Sequence, residues 1–208
     1  MFFLFDYLCV MNFDFSHIGF NVKSKKQSQE DASITQPSEG RKAWHAVNKE
    51  ESRCNMVEQI QIYRRKELSF IAFYKKTKEG IPLSDIKVEA NVELFADRVV
   101  DIIYTLLQMR DTEGWAIITT PKRRHKEKNF SEMVTSNVAK EIGMKFYPDA
   151  VSAKNRNRIR PQFTIEKDIK EKNIIIFDDI LTTGSTLHAM NALFPDKNIV
   201  YIIGINNN

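Results

Sequence analysis

Ile174, Ile175, Ile176 and Phe177 form an apolar run with no polar interruption, and the run ends at Asp178 and Asp179. Four apolar residues in succession suit a central parallel strand covered on both faces. Past the acids come Thr182-Thr183-Gly184-Ser185-Thr186, small residues that make a turn and open a helix predicted over 185–194. The alternation of strand and helix patterns extends upstream. Val92, Phe95, Ala96, Val99, Ile102, Ile103 and Leu106 recur at helical spacing, which predicts an amphipathic helix over 91–108 with Asn91 as N-cap. Trp115–Thr119 is a short apolar strand. Ser131 is expected to cap a helix that runs to Ile142 and stops at Gly143. Lys145–Tyr147, Asn173–Phe177 and Asn198–Ile203 complete a set of four strands. Strands and helices in turn, joined by short links, imply an α/β fold whose open parallel sheet is flanked by helices through right-handed crossovers.

The first part of the chain has a different pattern. Residues 1–20 hold seven aromatics, Phe2, Phe3, Phe5, Tyr7, Phe13, Phe15 and Phe20, with no Lys or Arg before Lys23. They are expected to pack on the main domain or on a partner chain; a base-stacking surface would call for interleaved cations. Residues 21–55 are polar and carry the composition of a linker. Between 57 and 76 two apolar runs flank Arg64-Arg65-Lys66-Glu67, and periodicity does not choose between strands and a short helix there. The expected organisation is an aromatic N-terminal segment and linker over 1–55, a small hood or N-terminal element over 56–87, and the α/β core over 88–208.

At 208 residues, 42% hydrophobic and 28% charged, the chain has the composition of a globular domain with an appendage. The net charge of +4 hides a strong segregation. Residues 121–130, with Lys122, Arg123, Arg124, Lys126 and Lys128 against Glu127, carry a net +4, and so do residues 151–172, with Arg156, Arg158 and Arg160 at their centre. Positive charge is thus focused in two loops where a polyanion could sit. Cys9 and Cys54 are the two cysteines, which excludes a zinc ribbon and argues against a disulfide framework. The N-terminal apolar run lacks a basic leader, is interrupted by Asp6 and is too short to span a bilayer. A cytoplasmic location with no membrane partner is therefore expected.

The residues after the apolar run have a definite chemistry. Carboxylates at the carboxyl end of a strand lie where open α/β sheets place ligands. A helix N-terminus with hydroxyls and one glycine offers N–H groups and a dipole to an anion, worth roughly 0.3–1 kcal/mol. Acids beside a phosphate cradle fit a ligand with both hydroxyls and phosphate, such as a sugar phosphate. The competing explanation is a plain strand–turn–helix with Asp as turn former and Ser or Thr as cap. Paired acids leaving an apolar strand are costly without a partner, which favours the ligand.

The stretch Ile174 to Thr186 resembles the PRPP-binding motif of type I phosphoribosyltransferases: four apolar residues, two acids, then a Thr-Gly-Ser-Thr turn. The likeness covers about residues 68–205 and is nearest to the ComF-like branch. It rests there on Pro121-Lys122-Arg123-Arg124, on Asn129-Phe130, and on the basic run from Arg156 to Gln162. The four-cysteine zinc ribbon and the Arg-Gly-Phe of that branch are missing. Thr182 stands where the 6-oxopurine salvage branch carries an acid, which disfavours hypoxanthine or guanine as substrate.

The resemblance implies a set of roles. Asp178 and Asp179 would accept hydrogen bonds from the ribose hydroxyls and hold Mg²⁺, directly or through its waters. Thr182, Thr183, Gly184, Ser185 and Thr186 would bind the 5-phosphate of PRPP. Thr120, Lys122, Arg123 and Arg124 would meet the pyrophosphate. Arg156, Arg158 and Arg160 would belong to a mobile loop closing over it. The implied activity transfers ribose 5-phosphate from PRPP to a nitrogen acceptor that the residues do not identify, with release of pyrophosphate. The alternatives are a non-catalytic protein of the same fold that binds single-stranded DNA in competence and DNA uptake, or a nucleotide sensor. Self-association into a homo-oligomer stays open beside these.

Overall fold

The computed structural model describes residues 53–56, 60–121, 129–155 and 160–207. Its centre is an eight-stranded sheet. In chain order the strands are β1 (Arg53–Asn55), β2 (Gln61–Arg65), β3 (Leu68–Thr77), β4 (Ile81–Pro82), β5 (Trp115–Thr119), β6 (Lys145–Phe146), β9 (Asn173–Leu181) and β10 (Asn198–Asn206). Two further strands, β7 (Val151–Ala153) and β8 (Phe163–Ile165), form an antiparallel pair of their own. The helices are α1 (Val92–Asp101), continued by a π-helical turn over Ile102–Leu106, then α2 (Phe130–Ile142) and α3 (Ser185–Leu193).

Across the sheet the order is β4-β1-β3-β10-β9-β5-β6, with β2 also pairing with β3. From β3 to β6 every neighbouring pair is parallel. β1 and β2 run antiparallel to β3, β2 along its first half and β1 along its end. The segment expected as a small hood or N-terminal element over 56–87 contributes β3 to the central sheet. Leu68–Thr77 is strand, not helix, because both of its edges are hydrogen-bonded.

Period-two alternation divides the core into two layers. Ile71, Phe73, Ile117, Ile175, Phe177, Val200 and Ile202 pack with buried residues of α1 and α2. Ala72, Ala116, Ile118, Ile174, Ile176, Tyr201 and Ile203 pack with Leu187 and Met190 of α3 and with Val151 and Phe163. In the first layer the Phe95 ring meets Phe73 and Phe130 edge-on at centroid distances of 5.2 and 5.0 Å.

Several details differ from the sequence pattern, among them the end of β10, which runs to Asn206 and not Ile203. α2 begins at Phe130 with Asn129 at its N-cap, so Ser131 is inside the helix; Ser131 is buried and its carbonyl accepts from the Thr135 hydroxyl at 2.7 Å. Burial of Phe130 against Phe95 draws the start forward. Asn91 takes the N-cap position of α1 as expected, but its side chain makes no capping hydrogen bond; its amide donates to the Ile86 carbonyl instead. β9 does not end at Phe177 but runs to Leu181, because β10 stays paired with it as far as Asn206↔Leu181.

Candidate functional site

The sheet is uneven around the end of β9. On one edge β10 accompanies it to Leu181. On the other, β5 pairs only as far as Thr119↔Phe177, and the chain leaves at Thr120. The edge of β9 from Asp178 onward is thus released on the β5 side, within the strand and not beyond it. Thr120 closes the last rung: its N–H donates to the Phe177 carbonyl at 3.2 Å and its hydroxyl to Asp178 Oδ1 at 2.9 Å. Both residues are buried.

Alternation along β9 sends the two acids to opposite faces. Asp178 is in phase with Ile174 and Ile176, on the face that α3 covers. Asp179 is in phase with Ile175 and Phe177, on the face of α1. There it forms an ion pair with Lys87, which lies just after the helical turn Leu83–Ile86. The acids are adjacent in the strand, but each has its own partner.

Next to them Gly204 of β10 sets the spacing. A Cβ at that position would lie 2.7 Å from the Asp179 carbonyl oxygen and 2.8 Å from the Phe95 ring. No side chain other than hydrogen fits without moving the backbone or the ring.

Leu181 leads into the turn over 182–184 and then α3. Gly184 takes φ 78°, a left-handed conformation that costs glycine little and other residues much more. It opens α3, whose leading N–H groups have no acceptor inside the helix. The Thr183 and Ser185 hydroxyls lie 3.0 Å apart, and the Ser185 N–H points at Thr183 Oγ1 at 3.4 Å. His188 spends its N–H on the Gly184 carbonyl, as an ordinary helical residue does.

A cation reaches this turn that the sequence pattern did not assign to it. Arg65, the last residue of β2, donates from Nη1 to the Thr182 carbonyl at 2.9 Å. Its stem passes over Gly184, with Cδ 3.2 Å from where a Cβ would be. The Arg64-Arg65-Lys66 triplet was a visible signal, yet nothing in its spacing said which loop it would meet. Lys87 had no signal at all.

Of the other expected residues, Arg160 is exposed and lies between β7 and β8, and its carbonyl accepts from Asn155. Lys122, Arg123, Arg124, Arg156 and Arg158 lie outside the described residues. At the end of β10, opposite Leu181, Asn206 is buried, and its Oδ1 has no hydrogen-bond partner among the described residues. Burial of Tyr63 raises its pKa, while a hydrogen bond from the Asn206 side chain acts the other way. The Tyr63 hydroxyl in turn donates to Gln61 Oε1 at 2.7 Å.

No family model and no curated protein matches the chain. Among solved structures it is similar to a hypoxanthine-guanine phosphoribosyltransferase from Bacillus anthracis, with 20% identity over 56% of this chain and 79% of that one and a TM-score of 0.39. It is also similar to an adenine phosphoribosyltransferase from Saccharomyces cerevisiae complexed with adenine and an imino-altritol bisphosphate, with 15% identity over 71% and 83% of the two chains and a TM-score of 0.41. A hypoxanthine phosphoribosyltransferase from Staphylococcus aureus gives 16% identity over 58% and 76%, with a TM-score of 0.40. Among the described residues no helix is long and apolar enough to cross a membrane.

Proposed function

We propose that the chain binds PRPP at the end of β9 and transfers its ribose 5-phosphate group to a nitrogen acceptor. The observation that carries this is the arrangement at one strand end: two carboxylates, a left-handed Gly184 and a helix N-terminus within seven residues of each other. The turn over 182–186 would hold the 5-phosphate through backbone N–H groups and the Thr183, Ser185 and Thr186 hydroxyls. Asp178, oriented by Thr120, would accept from a ribose hydroxyl, and Asp179, on the other face of the strand, would do so by exchanging Lys87 for the ligand. Lys122, Arg123 and Arg124, with an arginine from 156–160, would neutralise the pyrophosphate.

In the reaction the bond from ribose C1 to the pyrophosphate oxygen breaks and pyrophosphate leaves with the electron pair. The acceptor nitrogen's lone pair forms the new bond to C1, and that nitrogen gives up a proton. Charge on the ribose ring resembles that of glycoside hydrolysis, so the protein's part is to fix geometry and supply fixed charge. The donor set suits Mg²⁺. Asp179 already accepts a cationic partner in Lys87, and Mg²⁺ at phosphates takes one or two carboxylates and completes its shell from ligand and water. Bound there with PRPP, it would supply charge neutralisation at the leaving pyrophosphate.

Pyrophosphate release from PRPP, measured across a panel of nitrogen acceptors with and without Mg²⁺, is expected to need the metal. It is expected to vanish in Asp178→Asn with Asp179→Asn, a pair that keeps the side-chain shapes. A calorimetric titration showing no PRPP binding by the intact chain would overturn the reading. Salt-sensitive binding of short single-stranded DNA in its place would favour the nucleic-acid alternative.

A further inference from the structure

The turn expected to hold a phosphomonoester has no cation of its own. Thr182 to Thr186 are neutral, and the nearest charged groups in the chain are two carboxylates. A phosphomonoester near its second ionisation carries close to two negative charges at neutral pH. Placing it against neutral N–H groups with carboxylates close by leaves a charge deficit that hydroxyls do not meet. Among the described residues, a basic side chain comes to the spot from more than a hundred positions away: Arg65 is bonded to the Thr182 carbonyl and lies along Gly184.

We infer that Arg65 is a phosphate-binding residue of this site, delivered by the β2–β3 hairpin, and that its ligand is the phosphomonoester of the sugar phosphate bound at the end of β9. The inference rests on the proposed PRPP reading and adds to it a residue from outside the motif. Its chemistry suits the task. One guanidinium N–H is directed to Thr182, and four further N–H donors stand in a planar fork that matches phosphate oxygens. The carbonyl bond fixes the fork over the turn before any ligand arrives, which lowers the cost of ordering it.

The hairpin that delivers it is held in a costly shape. Arg65 pairs with Leu68 across a two-residue connection, and Lys66 in that connection takes φ 55°, in the left-handed region. Tyr63 and Phe70 brace the pair from within, stacked at 5.3 Å and 15°. Arg64 further ties the tip by donating to the Lys66 carbonyl at 3.4 Å. Local strain of this kind persists where the surroundings over-determine it. Here the outcome is a basic tip aimed at Thr182.

The test uses the intact chain and ribose 5-phosphate, with ribose as the control lacking the phosphate. Arg65→Gln is expected to weaken ribose 5-phosphate binding roughly 10- to 100-fold, the range for a hydrogen bond to a charged group. Arg65→Lys should recover part of the loss, and ribose binding should not change. A purely structural role would not alter the pH profile, so affinity is also measured from pH 5 to 8. The wild type should bind more tightly as the phosphate loses its second proton near pH 6, and Arg65→Gln should show a flattened profile. Equal affinities and parallel profiles for wild type and Arg65→Gln would overturn the role of Arg65 while leaving the PRPP reading intact. Failure of the wild type to bind either PRPP or ribose 5-phosphate would overturn both. Arg65→Lys, which keeps the charge and the aliphatic stem, separates loss of binding from loss of fold.

Discussion

At the end of β9 the two faces of the sheet are built from different materials. On the Asp178 face the neighbours come from a strand end and from the helix after the turn: Thr120 one residue beyond β5, and α3 over Ile174 and Ile176. On the Asp179 face they come from packed elements: Lys87 ahead of α1, Phe95 within it, and Gly204 inside β10. The first face is polar and lies where β5 has stopped. The second is pressed against an aromatic cluster and leaves no room for a methyl group. Two chemically identical acids, adjacent in sequence, are thereby given different work. Changes near Asp178 should be felt mostly in hydrogen bonding and ligand chemistry, and changes behind Asp179 mostly in folding.

The sharpest way to break that contrast is Gly204→Ala. The added Cβ has backbone on one side and a buried ring on the other, both nearer than 3 Å. Overpacking of this kind typically costs about 1–3 kcal/mol. Because the Asp179 carbonyl cannot swing aside as a flexible side chain would, we expect the upper half of that range, read from denaturant midpoints. A neutral result would mean that the Asp179 face is not closed by packing. Asp178→Ala probes the other face. It leaves the buried Thr120 hydroxyl without its acceptor, at a cost of about 1–3 kcal/mol, whereas Asp178→Asn keeps an oxygen in reach and should recover most of that. Equal losses in the two variants would show that the Thr120 bond contributes little.

The same contrast explains what the sequence revealed. The apolar run at 174–177, the single glycine at 184 and the hydroxyls around it are local signals, and they identify the strand, the turn and α3 to within a few residues. The end of β9 was not legible, because Asp178 and Asp179 interrupt the apolar pattern while β10 alongside keeps the strand paired to Leu181. A strand's length is set partly by its partner. Ser131 has the local pattern of a cap, but the helix start is set by Phe130 packing on Phe95, which is a tertiary contact. For the same reason β3 could not be assigned to the central sheet from Leu68–Thr77 alone, since its parallel partner β10 lies more than 120 residues later. Arg65 and Lys87 reach the site only through such pairings.

Cys54 offers a smaller and independent reading of the N-terminal strands that carry Arg65 toward the site. Its thiol is wholly buried in β1, where desolvation pushes its pKa up to about 11, partly offset by a hydrogen bond involving the Lys75 backbone. The sign follows from the proton balance. The folded thiol keeps its proton above the pH at which the unfolded thiol loses it, so the stabilising contribution is complete below about pH 9 and is lost as pH rises toward about 11. A Cys54→Ser variant should lose less stability than wild type between those values. With Cys9 replaced by serine, iodoacetamide should label the native protein at pH 8 far more slowly than the unfolded chain. Fast labelling of the folded protein would show that β1 opens readily.

The smallest expected effect concerns Lys87. Its side chain is a third exposed, so its ion pair with Asp179 should add less than about 1 kcal/mol to stability. Its influence on the site should be comparable in size and opposite in sense for a cation. While Lys87 neutralises Asp179, a divalent ion approaching that carboxylate must displace or share it. Lys87→Met keeps the aliphatic bulk and removes the charge, and should tighten Mn²⁺ binding to the unliganded protein roughly two- to fivefold, an interaction of the same order as the lost pair. In an Asp179→Asn background the same substitution should do nothing, and this double-mutant comparison ties the effect to the pair rather than to net charge. Weaker Mn²⁺ binding in Lys87→Met, or an equal gain in both backgrounds, would mean that Asp179 is not the carboxylate a cation uses. The metal would then have to be held on the Asp178 face, beside Thr120, where β5 leaves the strand edge open.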